Sequence, residues 1–500
     1  MRRIKVFLFN GFLLTTTSLI MQTIAMFFNV YISNKIGTEA IGIYGLIMSV
    51  YMFFITLANS GIHLATVRIV SEQSAFGMDA GIKKAMKKCL SYSLFMGCLA
   101  CVLLFSFSDI ISCHSLHNKI SSFPIKILAI SLPFLASSSC LNGYFSALSK
   151  VKKTVFTQVF EQVLKIIFVC FLINLFMPSG IEYACISLVL GSTISEIMSF
   201  LVLLFLFLKD KKSLKCNSYK DTNYTKQILK ISLPISFTSY IRSGLSTLKQ
   251  IMIPRGLEKS GMNCSLALSQ YGIINGMVMP VIMFPCSFIS SFSSLLIPEF
   301  SYMNAKKELN KINFSLEKIL KFCFLFSFLI MGVFWCFSKE LNMFIYPNTD
   351  VSYYIKLLCP LIVLIYIDNI VDGILKGLDK QVTVMGINIL DLASSVFLIY
   401  FLLPIKGLSG YIIVLFVSEL LNGLLSLLVL IKETKLHIDF ANWIIKPFIS
   451  VCFLNFIFSY IHISNNLIEF IFYIVLFVIL YFILIVLFKS LVKKDIKFFR

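Results

Sequence analysis

Apolar stretches long enough to cross a lipid bilayer follow one another with hardly a break from residue 6 to residue 488. A helix needs about 20 residues to traverse the hydrocarbon layer. Segments of that size fall at 6–32, 40–66, 89–109, 123–147, 155–177, 182–208, 228–253, 268–297, 319–338, 353–375, 382–403, 408–431, 443–462 and 466–488. Lipid gives the backbone no hydrogen-bond partner, so each must be helical, and the alternation of a barrel strand is not seen. The pattern predicts an all-α polytopic membrane protein of fourteen spans. The first, seventh and eighth segments are the most polar or are broken by proline. Composition agrees. Hydrophobic residues make up 58 % and charged residues 14 %, against ~45–50 % and ~25 % in soluble globules.

Of the 44 Lys and Arg, 33 lie in alternate loops that become the inner ones if the N-terminus is inside, 8 lie in outer loops, and three, Lys165, Arg242 and Lys249, lie within spans. This asymmetry sets the expected orientation, with both termini on the cytoplasmic side of the inner cell membrane. The net charge of +20 is therefore read as a topology signal facing membrane lipid, not as a nucleic-acid surface. The start, Met1-Arg2-Arg3-Ile4-Lys5 before an apolar run, resembles a signal peptide. The run is too long, however, and carries Thr15, Thr16, Thr17, Ser18 and Gln22, so an uncleaved first span is expected.

No loop is long enough to fold alone; the longest is the basic stretch 209–227. Neither GxxxxGK[ST], GxGxxG after a strand nor HExxH occurs. No enzyme activity, cofactor or metal is expected. Cys98 and Cys101 have CxxC spacing inside an apolar run with no second pair, and read as small buried or lipid-facing residues. Cys113, His114 and His117 cluster in an outer loop, where chance placement outweighs metal binding.

The two halves match in order. Gly143-Tyr-Phe-Ser-Ala-Leu148-Ser-Lys150 parallels Gly373-Ile-Leu-Lys-Gly-Leu378-Asp-Lys380, and Glu161 then falls opposite Asp391. Ser195-Glu196 parallels Ser418-Glu419, Ala40 to Gly45 parallels Ala267 to Gly272, and Met96-Gly97 parallels Met331-Gly332, with offsets between 223 and 235. Six spans per half give parallel repeats related by an axis along the membrane normal. The expected organisation is a first bundle at 1–208, a basic inner linker at 209–227, a second bundle at 228–431, and spans thirteen and fourteen with a basic tail at 432–500. A site between two such bundles, reached alternately from each side, favours transport.

Charges inside spans cost roughly 2.5–3.5 kcal/mol each on insertion scales and face protein or water. Arg242 and Lys249 lie seven residues apart, hence on one face of the seventh span. Between bundles they would hold an anion, and a diphosphate suits their charge and spacing; the alternative is snorkelling or pairing with acids of other helices. Gln22 and Asn29 repeat that spacing in the first span and would line the opposite wall. Glu161 and Lys165 have the i,i+4 order of an internal pair. Together with Glu196, Asp368, Asp391 and Glu419 they are candidates for structural pairing or for coupling to H+ or Na+. His63 and Arg68, at the inner end of the second span, are candidates for an inner gate. Pro133, Pro234, Pro280, Pro285 and Pro360 permit kinks. The hydroxyl-rich run Ser287 to Ser294 suits close helix contact.

Phe9-Asn-Gly11, Tyr31 to Gly45, Ala58-Asn-Ser-Gly61, Arg68 to Glu72 with Gly77, Gln158 to Lys165, Leu296-Ile-Pro298-Glu299 and Leu375 to Lys380 resemble the polysaccharide transporter group of the multidrug/oligosaccharidyl-lipid/polysaccharide flippase superfamily, in its stage V sporulation protein B type. The likeness runs through the first twelve spans. It implies two six-helix bundles around a cavity and export of an undecaprenyl-diphosphate-linked glycan, a peptidoglycan precursor for spore cortex among the candidates. It also implies cavity cations on the diphosphate, a role Arg242 and Lys249 would take. The first span lacks the cations of lipid II flippases. A multidrug-type cation antiporter and a non-transporting scaffold for spore-envelope assembly remain as alternatives.

Overall fold

The computed structural model describes residues 2–115, 121–176, 180–212, 223–434, 436, 439–461 and 466–491. The described residues contain helices and no strand. In chain order these are α1 (Arg2–Ile36), α2 (Thr38–Asn59), α3 (Ile62–Ala75), α4 (Asp79–Ser115), α5 (Phe123–Ala147), α6 (Val151–Phe176), α7 (Ile181–Lys212), α8 (Tyr224–Lys259) and α9 (Cys264–Tyr271). A π-helical stretch, Gly272–Val278, leads into α10 (Met279–Met283), followed by α11 (Cys286–Ala305), α12 (Leu309–Cys336), α13 (Ser338–Ile345), α14 (Ser352–Leu358), α15 (Leu361–Gly377) and α16 (Gln381–Thr434). A second π stretch, Ala441–Ile445, opens into α17 (Lys446–Phe458), and α18 (Leu467–Leu487) ends the series.

Among the described residues, ten helices are long and apolar enough to cross a membrane, and the pair α14 and α15, bent by 51°, makes an eleventh. The 54-residue α16 turns at Gly407 (φ 55, ψ −130) and contains two of the apolar segments. The first and seventh segments fold as α1 and α8; α8 is too polar to stand among those ten, with six Lys and Arg in 36 residues. Fourteen crossings are compatible with these helices. Lipid is the solvent that explains their surfaces. Along α6, Phe156, Val163, Ile167 and Phe171 are all more than 40 % exposed, while Thr157, Val169 and Ile173 on the other side are buried. Some buried serines satisfy their hydroxyls within the helix: Ser192 donates to Leu188 O at 2.9 Å and Ser195 to Ser192 O at 2.7 Å. That leaves small, dry surfaces on which helices approach closely.

The chain divides into two compact units. The first comprises Met1–Met21, Ile36–Glu258 and Met262–Gly272; the second comprises Gln22–Lys35, Lys259–Gly261 and Ile273–Arg500. The division passes through α1 and through the helix that runs from Cys264 to Met283, and it assigns nearly all of α8 to the first unit.

In the first unit a core of Ile69, Ile82, Met86, Cys140, Tyr144, Phe207 and Tyr224 joins one end of each of α3, α4, α5, α7 and α8. At the other end α9 packs on α2. Thr38 and Ser269 share a hydroxyl contact at 2.7 Å, and Ser265 donates to Glu39 Oε2 at 2.5 Å. Gly42 and Gly272 let the backbones touch: a Cβ on Gly272 would stand 2.1 Å from Thr38 O, and one on Gly42 would stand 2.2 Å from Leu268 O. In the second unit Phe337 is ringed by edge-on Phe458, Phe470 and Phe477, which fastens α17 and α18 to the end of α12. Tyr481 adds a bond to Leu325 O at 2.9 Å.

Both units close one turn alike. After α5, Ser149 takes φ 56 and Lys150 N returns to Phe145 O at 2.8 Å; after α15, Asp379 takes φ 65 and Lys380 N returns to Leu375 O at 2.9 Å. This is a Schellman ending, which satisfies carbonyls the helix leaves open. The lysine that follows reaches the last turn of a later helix in each case. Lys150 meets Asp210 at 2.6 Å, and Lys380 meets Glu433 at 2.8 Å.

Candidate functional site

Arg242 and Lys249 lie on α8 in the first unit, Arg242 exposed and Lys249 half-buried. Pro234 and Pro254 interrupt the hydrogen-bond ladder of α8, which has one acid, Glu258, against its six cations. Hydroxyls attach this helix to α2: Thr247 donates to Ser49 O at 2.8 Å and Thr56 to Ser243 Oγ at 3.2 Å. Next to Lys249, Gln250 accepts from Tyr271 OH at 2.6 Å. Gln22 and Asn29 belong to the second unit, Gln22 exposed and Asn29 half-buried. Asn29 Nδ2 donates to Gly276 O in the π stretch at 3.4 Å. A π stretch opens a carbonyl to such a partner because its ladder is out of step with the α-helix.

The acids form one cluster in each unit. In the first, Glu196 on α7 accepts from Tyr51 OH on α2 at 2.9 Å, and Tyr51 also bonds Ser131 on α5. Glu161 on α6 faces Ser199 on α7, and Lys165, one turn along, acts on both Glu161 and Glu196. A carboxylate inside a helical unit survives only with such partners. In the second unit Asn422 Nδ2 bridges Asp368 Oδ2 at 2.8 Å and Asn388 Oδ1 at 3.4 Å, and Asn388 Nδ2 reaches Asp372 Oδ2 at 3.3 Å. Ser418 donates to Asp391 Oδ1 at 2.6 Å and receives Ser395 at 2.8 Å. Asp372, Asp391 and Glu419 all lie close enough to Asp368 to repel it. Asn422 keeps Oδ1 buried without a partner.

Four of the acids named from the sequence, Glu196, Asp368, Asp391 and Glu419, thus fall in these clusters, as do Glu161 and Lys165. The sequence reading passed over Tyr51, Ser131, Asp372, Asn388 and Asn422. Three of them carry a signal: Asp372 is four residues from Asp368, Asn388 three from Asp391 and Asn422 three from Glu419, each on the same helix face as a named acid. Tyr51 and Ser131 have no such marker. His63 is exposed on α3. Arg68 pairs along the same helix with Glu72 at 3.1 Å, both well exposed, which contributes little. Among the described residues no group of three His, Cys, Asp or Glu could hold a metal ion. Cys98, Cys101 and Cys113 are free thiols; His117 lies outside the described residues.

Comparison with known proteins places this architecture. The chain is 26 % identical to Stage V sporulation protein B of Bacillus subtilis (strain 168) over 461 residues, covering 89 % of each chain. It is 23 % identical to Lipid II flippase MurJ of the same organism over 409 residues, covering 74 % of this chain and 72 % of that one. Among solved structures, Lipid II flippase MurJ in an inward closed conformation superimposes with a TM-score of 0.72 at 14 % identity, covering 97 % of this chain and 99 % of the other. A multidrug resistance MATE family transporter in an inward-facing conformation gives 0.62 at 14 % identity, covering 84 % and 99 %. The MatE family matches residues 260–401. The polysaccharide biosynthesis protein family matches residues 7–304, more than half of the chain, and this multi-pass membrane protein belongs to that family, within the multidrug/oligosaccharidyl-lipid/polysaccharide flippase superfamily.

Proposed function

We propose that the chain is a flippase that moves a polyprenyl-diphosphate-linked glycan precursor across the cytoplasmic membrane by alternating access. The observation that carries the reading is likeness along most of its length to two relatives, one of them named for flipping lipid II. The cationic face of α8 supports it, since two cations seven residues apart suit an anionic headgroup whose lipid chain stays in the bilayer. In this reading residues 1–208 and 228–431 are the two moving bundles. Residues 209–227 link them on the cytoplasmic side, 432–500 add two helices, and both termini face the cytoplasm. Arg242 and Lys249 bind the diphosphate, Gln22 and Asn29 are further candidates for polar contacts to it, and His63 and Arg68 are candidates for an inner gate. The acid clusters take up H+ or Na+, whose binding would reset the carrier. The names of the two relatives, one a sporulation protein and the other a lipid II flippase, point to a peptidoglycan precursor for a spore layer as the cargo.

A second reading draws on one specific feature. The MatE match covers residues 260–401, where Asp368, Asp372 and Asp391 gather, and an acid cluster suits a drug cation. Proteoliposomes decide between the two. Purified protein is expected to move a lipid-linked diphosphate precursor to the opposite leaflet, and Arg242→Ala/Lys249→Ala is expected to slow this by at least about tenfold, the loss of one to two charge-assisted contacts. Unchanged flipping in the double variant sinks the diphosphate site. Drug-cation exchange without lipid flipping replaces the first reading by the second.

A further inference from the structure

At the end of α2 the backbone turns left-handed twice in succession, at Ser60 (φ 37, ψ 44) and Gly61 (φ 66, ψ 7). Glycine adopts that conformation freely, but a buried serine adopts it only when its surroundings hold it there. Ser60 is 2 % exposed. Its hydroxyl has three neighbours: Tyr240 OH at 2.8 Å, Tyr92 OH at 3.0 Å and Ser236 Oγ at 3.3 Å. Ser236 spends its own proton on Ser232 O at 2.7 Å. Ser60 therefore donates to Ser236 and accepts from both tyrosines, which fills the one donor and two acceptor positions of a hydroxyl.

Ser236 and Tyr240 belong to α8, and the contact continues along that helix through Ser243, bonded to Thr56, and Thr247, bonded to Ser49 O. Positions 236, 240, 243 and 247 fall within about 60° of one another at 100° per residue, whereas 242 and 249 fall about 130° and 150° from the centre of that stripe. The hydroxyl seam thus sets the rotation of α8 about its own axis, and that rotation decides where Arg242 and Lys249 point. Pro234 has already removed one ladder bond at the start of the seam, so α8 needs this outside support.

We propose that Ser60 and Tyr240 are positioning residues, which lock the rotation of α8 and so aim Arg242 and Lys249 away from α2 toward the anionic headgroup. The inference rests on the diphosphate-site reading given above, and two measurements keep the two separable. The full-length protein in nanodiscs is examined by hydrogen–deuterium exchange over residues 232–250, and in proteoliposomes for the lipid-diphosphate concentration that half-saturates flipping. Tyr240→Phe removes one bond of the knot. Ser60→Gly removes all three while relieving the backbone.

In both variants exchange over 232–250 is expected to rise about fivefold or more, the weight of one lost hydrogen bond, with peptides from α6 unchanged. Half-saturation is expected to move upward by a similar factor while the maximal rate changes less than about twofold. Loss of correctly folded protein would lower the maximal rate and leave half-saturation in place. Should Ser60→Gly fail to fold, Tyr240→Phe decides. Unchanged exchange over 232–250 in Tyr240→Phe overturns the lock, whatever the flipping assay returns. Faster exchange with unchanged half-saturation overturns the aiming of the cations. Faster exchange in a protein that flips no lipid leaves the lock standing and rejects the diphosphate reading alone.

Discussion

Single side chains in this protein matter most where backbone meets backbone or where a carboxylate is enclosed. Gly272 is the sharpest case. A Cβ there would press on Thr38 O at 2.1 Å and Gly42 N at 2.8 Å, and backbone cannot rotate aside as a side chain can. Gly272→Val is expected to destabilise the protein by about 1–3 kcal/mol, the usual cost of overpacking, seen as a lower thermal midpoint in detergent. Gly386 supplies the control, because nothing lies within 4 Å of its Cβ position. Gly386→Ala is expected to be neutral or to stabilise by up to about 1 kcal/mol through helix propensity. Equal midpoints for Gly272→Val and Gly386→Ala would show that α2 and α9 do not touch as described. Tyr51 tests the enclosed acid. Tyr51→Phe deletes the proton donated to Glu196 and the hydroxyl contact with Ser131 and is expected to cost about 1–3 kcal/mol, since a buried acceptor loses its partner while the ring still packs. The same thermal measurement reads it, and no change in midpoint would mean that Glu196 is solvated from elsewhere.

Helices and turns show how much the sequence could tell. The apolar segments marked the helices well because lipid-facing residues cannot be polar, and that single rule outweighs local propensity. The turn motif ending in Lys150 and Lys380 was legible as a repeat. Its purpose was not, because the acids it meets, Asp210 and Glu433, lie 60 and 53 residues further on, and no periodicity connects positions that far apart. The breaks inside helices were also hidden. Proline flagged Pro285 before α11, but nothing in Ala58-Asn-Ser-Gly61 announced a left-handed serine held by tyrosines of two other helices. The two lysine clamps nevertheless permit a graded prediction. Asp210 is 10 % exposed and holds Lys150, Lys153 and Tyr144, whereas Glu433 is 35 % exposed and holds Lys380. Asp210→Asn is expected to cost about 1–3 kcal/mol, because a nearly enclosed charge network loses the anion that joins its two lysines and tyrosine. Glu433→Gln is expected to cost less than about 1 kcal/mol, as exposed pairs do. Urea or thermal unfolding of the two variants side by side checks the order, and a larger loss for Glu433→Gln would contradict the burial argument.

For the whole molecule the decisive quantity is the distribution of 44 Lys and Arg against 24 Asp and Glu along one chain. A net charge of +20 spread evenly would repel itself and orient nothing. Placed in every second loop, it assigns each loop a side, because cationic loops resist translocation. The assignment is sensitive to helix count in a useful way: one helix too many or too few reverses every loop that follows it. The polar helix α8, which hydropathy alone does not mark as a span, and the first helix α1 are where such an error would enter. Reporter fusions that work on only one side of the membrane test this directly at three points. A fusion at Lys150, beyond the fourth apolar segment, is expected on the cytoplasmic side; one at Asp350, beyond the ninth, outside; and one at Thr434, beyond the twelfth, on the cytoplasmic side again. If α8 does not cross, the fusion at Lys150 keeps its side while those at Asp350 and Thr434 both change theirs. If α1 does not cross but the rest do, the three fusions keep their order and the N-terminus alone moves outside, which a tag at the first residue would reveal. A pattern in which Asp350 and Thr434 report the same side would leave an odd number of helices unaccounted for between them, and with it the equivalence of the two six-span halves would fall.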